Sequence, residues 1–379
     1  MRWFWVLLVL AGPQACAKPA PRSTDLGQRL QSLLDSTMKA SPQVPGLILR
    51  VEAPPIGLRW TNAVGVFDRA TGEPLRPEHT VRMASNTKTY VAAAVLRLME
   101  LGKLDLEAPV ARYLSPESTR QLARGGYDPQ AITVRMLLQH TSGIFDYAMS
   151  PQFATAVSTR FSHRWTRAEQ IAFAVDSGKP LGKPDELYSY SDTGYILLGE
   201  IIERVTGLPM GRAVSELLGF DRHGITATYF ETLDSVPEGT PPRAHQYLDS
   251  VDAYTLDASH DLYGGGGLVS NLENMARFYR ALVRGELFEK KGTLVAMLQP
   301  TPQSQAKGVG YGMGIGLAKV GEVTCHGHSG YWGTTVRHCP AIDLTVATAM
   351  NRSPDSTGTM VRLAEAAIRL VQEEGRPRR

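Results

Sequence analysis

Thr80-Val-Arg-Met-Ala-Ser85-Asn-Thr-Lys88, running on into Tyr90-Val-Ala-Ala-Ala-Val-Leu-Arg-Leu-Met-Glu-Leu101, is the stretch that decides the fold. An extended segment delivers a serine to the head of a long apolar helix. A lysine follows three positions later, on the same helix face. A serine hydroxyl is a poor nucleophile until a neighbour takes its proton. The spacing puts an amine within reach of that proton. The tetrad recurs at Ser36–Lys39, late in an amphipathic helix, and at Ser304–Lys307, in a polar proline-containing loop. Only the middle copy stands between a strand and a buried helix, where a scaffold holds reacting groups rigidly.

Working outward, strands bracket helices. An amphipathic helix at 24–40 carries Leu26, Leu30, Leu33 and Leu34. Strands are expected at about 46–53 and 59–67, and again at Gly310–Leu317, Glu322–Gly327, Thr334–Cys339 and Leu344–Met350. Between them the period is mainly helical. Thr133 is the expected N-cap of the helix opening at Val134, and helix Gly194–Thr206 ends at Gly207. Ser270-Asn-Leu-Glu273 reads as a capping box for a helix Asn274 to Arg284. A last helix runs from about Thr357 to Gln372. The expected architecture is α/β (α+β): a mixed, largely antiparallel sheet from both chain ends, flanked by helices, with an inserted helical region. The sheet part spans about 24–84 and 285–374, and the helical part about 85–284, in one catalytic domain, 18–374. Ser85 then lies in the cleft between the two parts.

Composition bounds the partners. A chain of 379 residues, 43% apolar and 20% charged, can bury a full core, and a net charge of +3 is too small to argue for nucleic acid or an anionic membrane. Residues 1–17 read as a secretory signal: Arg2, the apolar run from Trp3, and Ala15-Cys16-Ala17 before the cut. The run is well short of the roughly 18 apolar residues of a membrane span. The expected address is periplasmic or secreted. Lipid attachment at Cys16 ranks below simple secretion, because Pro13 stands where such sites usually carry leucine. Residues 375–379 form a short basic tail. Two cysteines remain, Cys325 and Cys339, flanking a hairpin centred on Trp332 that would set them opposite each other. A disulfide is expected there, with two reduced thiols as the alternative.

Three further segments carry chemistry: Tyr188-Ser-Tyr-Ser-Asp-Thr-Gly-Tyr195, Gly327-His-Ser-Gly330 and His140-Thr-Ser-Gly143. A phenol beside a lysine can be ionised or can pass a proton. A glycine-flanked strand lets backbone N–H groups approach a substrate. His140 reads as structural, closing a turn. Gly264 to Gly267 lacks the lysine and the spacing of a phosphate loop and reads as tight backbone packing beside the cleft.

This ordered set, from Val44-Pro-Gly46 and Gly65-Val-Phe-Asp68 through Leu137-Leu-Gln-His-Thr-Ser-Gly143 to Tyr311-Gly-Met-Gly314, resembles the serine β-lactamase and penicillin-binding-protein superfamily. The likeness is closest to the branch of class C β-lactamases, D-alanyl-D-alanine carboxypeptidases and related esterases. The resemblance implies that Ser85 is the nucleophile, that Lys88 takes its proton, and that Tyr190 assists and protonates the leaving group. It implies an oxyanion hole from the N–H groups of Ser85 and Tyr331. Asp192, His328, Ser329 and Gly330 would bind the substrate, His328 and Ser329 at its polar or carboxylate end. No metal and no cofactor is implied, and the expected partner is a small-molecule or peptide substrate, such as a D-amino-acid peptide, ester or amide, acted on by a monomer.

Two departures bear on the substrate. The third motif is His-Ser-Gly, where most β-lactamases have Lys-Thr-Gly, so a weaker anchor faces a substrate carboxylate. The second is Tyr-Ser-Asp in place of Tyr-x-Asn: an ionised Asp192 cannot donate to an acyl-amide carbonyl, and it adds negative charge near Lys88. Both favour a secreted carboxypeptidase- or esterase-like serine hydrolase over an efficient β-lactamase. The alternatives are a class C-type β-lactamase, a non-catalytic penicillin-binding module, and a zinc-binding protein using Cys325, His326, His328, His338 and Cys339. In a hairpin the cysteines and the pair His326/His338 face opposite sides, which disfavours the zinc set.

Overall fold

The computed structural model describes residues 22–374; the expected signal segment, Cys16 and the basic tail lie outside the described residues. Six antiparallel strands make the principal sheet. In chain order they are β1 (Gly46–Ala53), β2 (Leu58–Gly65), β3 (Gly316–Val320), β4 (Val323–Gly330), β5 (Thr334–Cys339) and β6 (Leu344–Met350). Their spatial order is β2-β1-β6-β5-β4-β3. The N-terminal hairpin is thus stitched to the C-terminal meander by one seam, Leu47 opposite Met350 through Glu52 opposite Thr345. Every pair in this sheet is antiparallel. The parallel pairing lies elsewhere, between Arg352–Ser353 and Tyr247–Leu248.

β1 is buried along its whole length because both faces are covered. Period two sorts its side chains. Leu47, Leu49 and Val51 meet the terminal helices α1 (Arg22–Lys39) and α5 (Thr359–Glu374), whose stripes Leu26-Leu30-Leu34 and Met360-Leu363-Ala367 complete that layer. Ile48, with Val336, Ala347 and Ala349 of β5 and β6, joins the larger core on the opposite face. That core holds α2 (Thr87–Glu100), buried on nearly every side, and α3 (Asp192–Thr206), which stops at Gly207 in the left-handed conformation (φ 71°).

Several expectations shift. The helix expected from Asn274 runs Leu272–Val283 (α4), and its cap is Asn271, whose side chain accepts from the Asn274 N–H. Ser270 is instead a strand residue bonded to Thr228 Oγ at 2.7 Å. α4 packs on β1, β5 and β6 and so belongs to the sheet layer, although its residues were expected in the helical part. Within that part, residues 219–271 form turns and short strands; Pro237, Pro241, Pro242 and Gly264–Gly267 break any helical period there. The strand expected over Gly310–Leu317 starts only at Gly316, because Gly312 and Gly314 sit against backbone too closely for side chains. Among the described residues no helix is long and apolar enough to cross a membrane.

Cys325 of β4 and Cys339 of β5 are joined in a disulfide, Cα–Cα 4.0 Å, fully buried under the terminal helices. It closes a loop of sequence separation 14. Loop-closure entropy of that size is worth about 3 kcal/mol. The Cys325→Ala/Cys339→Ala variant is expected to lose stability of that order in urea unfolding; an unchanged midpoint would show that the bond adds nothing.

Candidate active site

The site is built where the strand Val81–Arg82 runs into α2. That strand pairs with Leu268–Ser270, which pairs in turn with Tyr229–Phe230. Between strand and helix the chain turns through Ala84, a buried residue held at φ 46°. A non-glycine residue there stores strain, which persists only where the surroundings hold it. Here they do. The Asn86 side chain bonds Thr334 Oγ1 of β5 at 2.9 Å, and Thr87 Oγ1 accepts from the Leu268 N–H at 3.2 Å. In the run from Val81 to Tyr90, Ser85 alone escapes burial, so its hydroxyl is the group a substrate can reach.

Lys88 is wholly buried. Its Nζ donates to Ser85 Oγ at 2.9 Å and to the Gly265 carbonyl at 2.5 Å, and it forms an ion pair with Asp192 Oδ1. Two hydrogen bonds and one ion pair thus surround the amine. Gly265 packs closely here: a Cβ at that position would stand 3.3 Å from Asp192 Cβ. The glycine run is therefore close packing that brings a carbonyl to the lysine.

Tyr190 ends the loop entering α3. Its half-buried ring centroid lies 4.9 Å from Lys88 Nζ. Burial, and then the charge of Asp192, push the phenol well above its ordinary range, although the nearby Ser85 side chain pulls the other way. Of the two roles a phenol could take, the neutral proton donor is the one this environment favours. His140 fixes it. The His140 carbonyl accepts from the Ser189 N–H at 2.8 Å, its Nδ1 accepts from the Ser191 N–H at 3.1 Å, and its ring lies 4.2 Å from that of Tyr190. Nδ1 is an acceptor, so the proton sits on Nε2. Burial and Lys88 hold this imidazole neutral.

β4 brings the third motif alongside. Gly330 presses on the nucleophile turn so closely that a Cβ would stand 2.0 Å from the Met83 carbonyl oxygen. This contact packs the end of β4 against the turn that carries Ser85. Tyr331 is 57% exposed, and its carbonyl accepts from Ser353 Oγ. Ser329 Oγ accepts from Thr335 Oγ1 at 3.0 Å. His328 is held by groups of the fold itself. Its Nδ1 donates to the Ser329 carbonyl at 2.7 Å, so Nε2 must accept from the Tyr311 hydroxyl at 2.9 Å. Both nitrogens are spent. Burial, with Lys88 adding to it, takes its pKa down to about 3. A neutral, internally bonded ring cannot anchor a carboxylate by charge.

Two site residues carried no sequence signal. Asp146 accepts from the Ala148 N–H at 3.0 Å, and Asp261 packs against Gly266, where a Cβ would meet its Oδ1 at 2.2 Å. Burial first and the charge of Asp192 second raise Asp146 to about 8 and Asp261 to about 7. Asp146 lies in a turn after the Leu137–Gly143 motif and Asp261 in a short 3-10 turn before the glycine run. Neither position has a periodicity or a motif to mark it.

The zinc alternative loses its thiolates to the disulfide. His338 Nδ1 is bonded to Thr345 Oγ1 at 2.9 Å and His328 is committed as described. Among the described residues Asp68, His245 and Asp252 bring potential ligand atoms within 4.8 Å of one another. They are accounted for by the His245–Asp252 contact at 2.7 Å and by the Ala70 N–H and Tyr247 hydroxyl on Asp68.

A protein-family model described as Beta-lactamase matches residues 41–369. The chain belongs to the Beta-lactamase family of serine hydrolases. Esterase EstB of Burkholderia gladioli is 32% identical over 200 residues, 52% of this chain and 50% of that protein. Penicillin-binding protein 4* of Bacillus subtilis (strain 168) is 27% identical over 275 residues, 69% of this chain and 57% of that one. The matched region thus spans about half the length of these curated relatives. Among solved structures, a D-stereospecific amidohydrolase from Streptomyces sp. superposes with TM-score 0.75 at 28% identity, over 89% of this chain and 98% of that one. The fold is therefore that of the β-lactamase group: an antiparallel sheet made from both chain ends, with a helical insertion.

The raised carboxyls have a stability consequence. Asp146 and Asp261 have folded-state pKa values above the ordinary carboxyl value of 3.8. Between roughly pH 4 and pH 8 these two groups hold protons that the unfolded chain has lost, so their contribution to stability falls as pH rises through that window, while buried histidines with depressed pKa values act in the opposite sense below about pH 6.5. Relative to the wild type, Asp146→Asn/Asp261→Asn is expected to give a melting temperature with a more positive slope against pH from about 5 to 8 at constant ionic strength. An equal slope in the variant would contradict the assignment.

Proposed function

We propose that the protein hydrolyses a carboxylic ester or amide through an acyl-enzyme on Ser85, and that its substrate carries no carboxylate needing a cationic anchor. Lys88 takes the Ser85 proton as Oγ attacks the carbonyl carbon. The N–H groups of Ser85 and Tyr331 receive the developing oxyanion. Tyr190 passes its proton to the leaving group, and water then attacks the ester by the reverse path.

The observation that carries the reading is the Ser85–Lys88–Tyr190 contact set at a strained, accessible turn. The substrate preference rests on His328, which stays neutral with both nitrogens occupied. Relatives named as an esterase and as a D-stereospecific amidohydrolase agree in class. A D-alanyl-D-alanine carboxypeptidase and a class C-type β-lactamase, both of which handle a substrate carboxylate, rank behind an esterase or D-amino-acid amidase. Asp192 makes its ion pair to Lys88 and is assigned there, away from the substrate carbonyl. Export to the periplasm or medium is part of the proposal and is supported by the buried disulfide, a bond that persists in oxidising compartments.

A fluorophosphonate is expected to add one adduct, on Ser85, and Ser85→Ala to abolish it; labelling that survives in the variant would end this reading. A short-chain p-nitrophenyl ester and a D-amino-acid amide are expected to outpace a cephalosporin and a D-alanyl-D-alanine peptide in kcat/KM. A cephalosporin or the peptide turned over fastest would contradict the inference from His328.

A further inference from the structure

Lys88 poses a problem for its own role. An ammonium that donates to Ser85 Oγ and the Gly265 carbonyl and is ion-paired with Asp192 has no lone pair to offer. Before it can act as a base it must lose a proton, and it is wholly buried, out of contact with water. Of its three partners, Ser85 is the group to be deprotonated and Gly265 offers a carbonyl. Asp192 is the remaining one.

Geometry singles out Asp192. Lys88 is the sole partner of the buried Asp192 Oδ1 among the described residues. The groups facing the pair come from every element around it. Asp146 comes from the turn at Tyr147–Met149 and Asp261 from the turn at Ala258–Asp261. His140, and His328 of β4, are both neutral, and Tyr188, Tyr190 and Tyr195 line the start of α3. One ammonium thus meets three carboxyl groups in a poorly hydrated space. Like charges there are costly, so the cluster favours taking up protons.

We infer that Asp192 is the internal acceptor of the Lys88 proton, and so a positioning and proton-holding residue for acylation of Ser85. The inference rests on the proposed acyl-enzyme chemistry. One N–H bond of the ammonium breaks and one O–H bond forms on Asp192 Oδ1, turning ammonium and carboxylate into amine and carboxylic acid with no change of net charge. The freed lone pair accepts the Ser85 hydroxyl proton as the Oγ–C bond forms. An asparagine at this position could not take that proton, and the lysine would have to discharge it to solvent.

The test is the pH dependence of Ser85 labelling by a fluorophosphonate, a reagent whose reaction needs the base step and little help to the leaving group. The wild-type rate should hold into the acidic range. In Asp192→Asn the acid limb should move to higher pH by about one unit or more, roughly a tenfold loss of rate on the limb. Asp192→Glu keeps an acceptor and should stay near the wild-type profile. If Asp192→Asn does not fold, Asp192→Ser carries the same expectation. An acid limb that stays in place, or moves to lower pH, would overturn the inference, the latter showing that Asp192 only traps the ammonium. Wild-type protein that never labels would instead refute the acyl-enzyme reading itself, so the two failures are distinguishable.

Discussion

A buried ammonium needs partners, and the active site is organised around that requirement. Removing a charge from water costs several kcal/mol unless other groups replace the lost hydration. Around Lys88 the replacements come from distant parts of the chain: Ser85 from its own turn, the Gly265 carbonyl from the glycine run, and Asp192 from the head of α3. Glycine at 265 leaves room for that approach. The same contacts that satisfy the lysine fix the nucleophile, so stability and chemistry share one arrangement.

The sheet supplies the second constraint. β1 and β6 join the two ends of the chain, and β4 and β5 then carry the third motif to the nucleophile turn. Gly330 against the Met83 carbonyl and Asn86 against Thr334 lock that approach. The proposed oxyanion donors, Ser85 and Tyr331, belong to segments nearly 250 positions apart, and this backbone contact is what ties those segments together. The strained Ala84 is held in the same grip.

Much of this was legible in the sequence because it is local or periodic. The strand–Ser–x–x–Lys–helix junction, the alternation in Leu344–Met350, the Gly207 stop and the terminal amphipathic helices are each encoded within a few residues. Other features were not. Capping by Asn271 in place of Ser270 depends on Ser270 being drawn into a strand against Val81. Asp146 and Asp261 come near the Lys88 charge through turns whose placement only tertiary packing decides. His328 looked like an anchor because its neighbour in the sequence is a glycine-flanked serine. Its partner Tyr311, which occupies its second nitrogen, lies 17 positions away on another segment. Hydrogen-bond partners at such range leave no period behind.

The central claim is that Lys88 is the group that takes the Ser85 proton. Its most direct test is the pre-steady-state acylation burst of Lys88→Met with an activated ester, on protein shown by circular dichroism to be folded. Loss of the base should slow the burst by about 100- to 10,000-fold while Ser85 remains in place. A burst at the wild-type rate would mean that another group activates the serine and that the account is wrong at its centre.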